Sequence, residues 1–87
     1  MKFDDLFTSR EPRFSLGVEV VSGRHYLAIP VSNRLVDYEE YYAIDLADFE
    51  RYRRDPASAA PFLGRCRRRE ADELLILKPG PDRGVPA

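Results

Sequence analysis

Tryptophan is absent from this chain, and cysteine, histidine and methionine occur once each among its 87 residues. A single cysteine, Cys66, excludes an intramolecular disulfide framework and any multi-cysteine metal site, so a reducing compartment suits the chain and a cytoplasmic location is expected. The opening Met-Lys-Phe-Asp-Asp-Leu-Phe has acids where a signal peptide carries a basic head and an apolar run. No stretch approaches the ~20 apolar residues that a spanning helix needs. Also missing are a phosphate-cradling glycine loop, paired metal-ligand spacing and a nucleophile elbow, which leaves no cofactor to expect and points away from an enzyme. Fourteen cations against fifteen carboxylates give a net charge of -1, so bulk electrostatic attraction to nucleic acid is also lacking.

What is present is enough for one folded domain. Apolar residues make up 44% and charged residues 33%, the balance of an ordinary globular chain rather than a disordered one. Residues 1–78 are expected to form a single α+β domain and residues 79–87, rich in proline and glycine, a flexible C-terminal tail.

The stretch around which the chain is organised runs from Leu35 to Ile44, with three of the five tyrosines beside three carboxylates. Its alternation makes it the third strand of an antiparallel meander. The first strand is expected over Phe14 to Val21, with Phe14, Leu16, Val18 and Val20 facing inward. A two-residue turn at Ser22-Gly23 then sets Val20 against His25, Val18 against Leu27, Leu16 against Ile29 and Phe14 against Val31. Tight closure at Ser32-Asn33 would put Ile29 opposite Val36, Leu27 opposite Tyr38 and His25 opposite Glu40; a looser turn shifts the pairing by two and keeps the faces. Val36, Tyr38, Tyr42 and Ile44 then join the core. Pro30 cannot donate to a ladder, so a local break is expected there.

Ahead of the meander, Phe3, Leu6 and Phe7 are spaced for one face of a helical turn beginning beside Asp4 and Asp5. After it, Asp45 is placed to cap a helix from Leu46 to about Arg54 whose inner stripe is Leu46, Phe49 and Tyr52 or Arg53. A second helix is expected from Ser58 to about Glu70, with Pro61 in its first turn and Phe62, Leu63 and Cys66 inward. Both helices pack on one face of the sheet. Leu74 to Leu77 suggests a fourth strand, with a helical extension as the alternative. The stretch from Ile29 to Tyr42 resembles small bacterial proteins in its general look and carries no activity with it.

Four features carry candidate chemistry. His25 beside Glu40 has the makings of a general base, although no serine or cysteine nucleophile is tied to the pair and a structural hydrogen bond is the plainer explanation. Cys66 lies between Arg65 and Arg67, which would favour a thiolate, yet its helical phase matches Phe62 and Leu63 and makes it a core side chain. Arg65, Arg67, Arg68 and Arg69 could hold phosphates or nucleic acid, but consecutive arginines spread around a helix and have nearby acids to pair with.

The fourth feature is a second sheet face collecting Ser15, Gly17, Glu19, Tyr26, Ala28, Pro30, Asp37, Glu39 and Tyr41. Here Tyr26 and Tyr41, flanked by Asp37 and Glu39, would border a shallow floor made by Gly17, Ala28 and Pro30. Tyrosine offers large contact area at little rotamer cost, and surrounding acids steer a basic partner. The expected role is therefore non-enzymatic protein binding through Tyr26, Asp37, Glu39 and Tyr41, in one version as an immunity- or antitoxin-type inhibitor of a basic nuclease. If the second helix or the C-terminal segment covers that face, Gly17 and Ala28 are close-packing positions instead. A small core and an unpaired strand edge also lead us to expect a homodimer.

Overall fold

The computed structural model describes residues 1–87, in which four strands of an antiparallel sheet are followed by two helices and a short fifth strand closes the chain, the α+β arrangement expected. The strands are β1 (Phe3–Ser9), β2 (Phe14–Glu19), β3 (Arg24–Ser32), β4 (Asp37–Ala43) and β5 (Val85–Pro86), and the helices are α1 (Leu46–Arg54) and α2 (Ala60–Arg67). β1 to β4 lie side by side in chain order, and β5 pairs with the end of β3. No helix is long and apolar enough to cross a membrane.

The N-terminal segment is a strand rather than the expected helical turn. β1 pairs with β2 through Asp5↔Gly17 and then Phe7↔Leu16, so Leu6 is an extra residue bulged out of the ladder. The bulge explains the misleading spacing. It carries the chain from one face of the sheet to the other, so that Phe3 and Asp5 point to one side while Phe7 packs on the main core beside Phe14.

The β2–β3 hairpin keeps the expected faces in a different register: Val18 opposes His25 and Leu16 opposes Leu27. Its loop has four residues because the buried Glu19 carboxylate organises it. That carboxylate accepts the backbone N–H groups of Val21 (3.0 Å), Ser22 (2.8 Å) and Lys2 (2.9 Å), while Gly23 takes the positive φ of 74° that closes the turn. Val20 and Val21 are left exposed at the tip, so Val20 is not a core residue.

Hydrogen bonds from Lys2 first, then Val21 and Ser22, hold the Glu19 carboxyl down to about 2. Because this value lies below that of the unfolded chain, the stabilisation is complete above the ordinary carboxylate range and is lost as pH falls from about 4.5 to about 2. We expect Glu19→Gln to melt several degrees lower than wild type at pH 7, with the gap narrowing across that acidic window. Melting curves by circular dichroism between pH 2 and pH 7 check this.

Between β3 and β4 the register moves further than either turn expected, with Leu27 opposite Tyr42, Ile29 opposite Glu40 and Val31 opposite Tyr38. Asn33 is the cause. Its side-chain oxygen accepts from both Leu35 N and Val36 N at 2.8 Å, widening the turn and leaving Val36 57% exposed rather than in the core. His25 and Glu40 are therefore not cross-strand partners.

Asp45 caps α1 as expected, accepting Asp48 N at 2.8 Å. Phe49 and Tyr52 turn inward, but Leu46 is exposed. The second helix starts later than expected, because Pro56–Ala59 forms a 3-10 turn in which Ser58 donates to Asp55 O, and α2 begins at Ala60. Leu63 and Cys66 bury against Leu16, Leu27, Ile29, Val31 and Tyr42 to form the main core. Burial pushes the Cys66 thiol up to about 12 in spite of its arginine neighbours, which leaves it an inert core side chain.

Leu74 to Leu77 is not a full strand. It enters through a 3-10 turn at Asp72–Leu74 and makes one bridge, Leu75↔Tyr42, with Ile76 N donating to Tyr41 O at 2.9 Å. The last residues are also not a loose tail. Val85 and Pro86 pair with Ser32 and Val31, Ala87 N donates to Pro30 O at 3.0 Å, and Gly84 N donates to the Tyr38 hydroxyl at 2.6 Å. The break expected near Pro30 is the point where the neighbour on that side of β3 changes from β2 to β5.

Candidate binding face

The sheet has one face under the helices and one without them. On the helix-free face, β2 and β3 supply two small residues, Gly17 and Ala28, and the space above them is filled from within the sheet. A Cβ built on Gly17 would lie 2.6 Å from Tyr26 Cζ, nearer still to the Tyr26 hydroxyl, and against Asp4 O. The Tyr26 ring therefore lies across Gly17 and is wholly buried, at 0% exposure. Phe3 of β1 stacks on Tyr41 of β4 with ring centroids 3.7 Å apart, and both rings meet Tyr26 edge-on at 5.5 and 5.0 Å.

This arrangement answers to neither expectation made for the face. No helix packs on it and Leu77 to Asp82 only border it beside Glu39 and Tyr41, yet Gly17 and Ala28 are close-packing positions and not an open floor. Tyr26 belongs to the small aromatic core and has no surface to offer a partner. Asp37, Glu39 and Tyr41 remain accessible in varying degree. Phe3 and Asp5 complete the face and were missed, because the bulge at Leu6 disguised β1 as a helical turn; the alternation of Phe3 and Asp5 with Lys2 and Asp4 was the available signal.

The polar groups of the face are paired locally, and Asp5, Tyr26, Glu39 and Tyr41 lie close enough to act on one another. The Tyr26 hydroxyl donates to Asp5 Oδ1 at 2.5 Å, the Tyr41 hydroxyl donates to Glu39 Oε2 at 3.2 Å, and Ser32 Oγ donates to Asp37 Oδ1 at 2.6 Å. Burial and then the Asp5 charge hold the Glu39 carboxyl above the usual carboxylate range, opposed only in part by the Tyr41 hydrogen bond and then by Arg13. Burial pushes the Tyr41 hydroxyl up to about 12, with Glu39 adding to the effect, and burial together with the hydrogen bond to Asp5 raises Tyr26 further. None of Asp5, Asp37 or Glu39 has a cation within ion-pair distance. Beside them a shallow groove of about 250 Å³ runs between Thr8, Arg13, Ser15, Pro30 and Glu39.

The other candidates fare differently. Glu40 opposes Ile29 and binds Arg83 at 2.8 Å, while the His25 ring packs on Phe49 at 4.8 Å, so the two do not form an acid-base couple. Arg65 bonds Glu73 and Glu70 O, Arg68 pairs with Glu70 at 3.0 Å and lies over Gly64, and Arg69 donates to Gly84 O at 3.2 Å. Only Arg67 of the four has no internal partner, so the cluster does not converge on one anion-binding point. No group of three or more His, Cys, Asp or Glu side chains is gathered as metal ligands would be. No protein-family profile matches the chain, and comparison with curated proteins and with solved structures gave no match.

Proposed function

We propose that the chain is a non-enzymatic protein-binding module whose helix-free, acidic and tyrosine-bearing face engages a basic protein. The observation that carries this reading is the pair of carboxylates Asp5 and Glu39 held beside Tyr41, neither with a cation within ion-pair distance, with Asp37 further along β4 on the same face. One of them is held partly desolvated beside a like charge, an arrangement that disfavours the folded chain alone and that a partner's guanidinium or ammonium would relieve. An inhibitor of the immunity or antitoxin type, covering the basic active site of a nuclease, is a specific form of this role.

Glu39→Gln is a cleaner probe than Tyr41→Ala, because Tyr41 also supports Phe3. The folded-state value of Glu39 is raised, so its contribution to stability is full below the unfolded carboxylate value and is lost as pH rises through the folded one. Glutamine abolishes that loss. We therefore expect Glu39→Gln to melt at or slightly above the wild-type temperature at pH 7 while losing capture of a specific basic protein from nuclease-treated lysate. Capture that survives Glu39→Gln, but disappears with nuclease or with Arg67→Gln and Arg68→Gln, would move the function to the arginine-bearing helix.

A further inference from the structure

The binding face ends at an open strand edge. β1 pairs with β2 along one side only, and no strand of the chain occupies its other side. The phase of its backbone is fixed: Val20 N donates to Lys2 O at 2.7 Å, and the Asp4 carbonyl is turned toward Gly17 on β2. By the alternation of an antiparallel ladder, Phe3 and Asp5 then present their own N–H and C=O groups to the open edge. These are the same two residues whose side chains stand on the binding face, one stacked on Tyr41 and the other carrying an uncompensated charge beside Glu39.

We propose that the free edge of β1 accepts an extended strand of the basic partner by main-chain pairing, and that an arginine or lysine of that strand reaches over the face to Asp5 and Glu39. The inference rests on the reading of the face given above and adds to it the conformation and chemistry of the ligand. A residue of an added strand directly opposite Asp5 has its Cβ about 5 Å from that of Asp5 and on the same face. From there a long cationic side chain spans toward Glu39, with the Phe3–Tyr41 stack as an aromatic surface beside it.

A second copy of this chain suits the edge poorly. Antiparallel self-pairing centred on Asp4 and Asp5 sets acid against acid, and pairing centred on Leu6 sets Lys2 against Arg10. Like charges directly opposite are unfavourable, so the same acids that disfavour pairing of two β1 edges select a strand bearing cations.

The test is a titration of the full-length, isotope-labelled chain with a seven-residue peptide alternating valine and arginine, followed by backbone amide spectra. The same peptide with alternate backbone N-methylation, and a version with glutamate for arginine, serve as comparisons. We expect saturable shifts at Phe3 and Asp5 together with Asp37 to Tyr41. Binding should weaken about tenfold or more in the Asp5→Asn/Glu39→Gln double variant, whose spectrum confirms that it folds, and should be abolished by N-methylation. Shifts confined to β4 that survive N-methylation would overturn edge pairing and leave the binding face standing. No saturable shift at either strand would overturn both. Equal binding of the glutamate peptide would overturn the selection of cations, and concentration-dependent shifts along β1 without peptide would assign the edge to a second copy instead.

Discussion

Arg83→Ala is expected to destabilise the chain by about 3–5 kcal/mol, the cost of stranding a buried charge, and to lower its melting temperature by roughly 15–25 °C. The Arg83 guanidinium is 13% exposed and sits between two carboxylates, with Nε on Glu40 at 2.8 Å, Nη1 on Asp72 at 2.8 Å, and Nη2 reaching both at 3.2 and 2.9 Å. The two carboxylates do not matter equally. Asp72 is 41% exposed and can return to water, whereas Glu40 is 7% exposed and would keep only the Tyr42 hydroxyl, at 3.0 Å, as a donor. The large penalty therefore belongs to Glu40. Asp72→Asn should cost far less, about 1 kcal/mol, and the double change Glu40→Leu/Arg83→Met should recover most of the loss, because it removes both buried charges together. Urea titrations of the four proteins check the order, and equal effects of Arg83→Ala and Asp72→Asn would contradict it.

Gly17→Ala should cost about 3 kcal/mol although it adds a single methyl group. In a loosely packed strand the change would be neutral or mildly stabilising, since alanine restricts the unfolded chain. Here the methyl group would meet backbone, Asp4 O, on one side and the Tyr26 ring, with Cζ 2.6 Å away, on the other. Neither can move alone. Relief requires β1 to withdraw from β2 or Tyr26 to leave its place under Phe3 and Tyr41, so the whole aromatic cluster loosens. Gly80→Ala, with no atom within 4 Å of the added carbon, is the control and should change stability by less than about 0.5 kcal/mol. The near-ultraviolet circular dichroism of the tyrosines should fall in the Gly17 variant and persist in the Gly80 one.

The faces of the meander were legible in the sequence and its registers were not. Alternation alone placed Leu16, Leu27, Ile29 and Tyr42 in the core, because a period of two survives any even shift. The shifts themselves depend on how many residues each loop consumes. Glu19 and Asn33 decide that by binding loop amides with their side chains, and neither residue differs in type from one that would simply sit on the surface. α1 was legible to its ends because Asp45 and the terminal arginines are strong local signals. β1 was misread because one bulged residue, Leu6, gives a strand the spacing of a helix. The docking of the C-terminal residues left no local signal at all. Arg83 finds Glu40 and Asp72 at sequence separations of 43 and 11, and nothing in Pro-Asp-Arg-Gly announces it. For the binding face, composition pointed to Asp37, Glu39 and Tyr41, while the burial of Tyr26 and the contribution of Phe3 and Asp5 followed from the bulge that periodicity did not reveal.

The most direct measurement is the titration of the Glu39 carboxyl by nuclear magnetic resonance, in the wild-type chain and in Asp5→Asn. Glu39 should titrate above 4.5 in the wild type, fall when the Asp5 charge is removed, and fall again when the valine-arginine peptide is added to the wild type. A Glu39 that titrates at or below 4.5 in the free protein, and that ignores both Asp5 and the peptide, would mean that the face holds no uncompensated charge for a basic partner to meet.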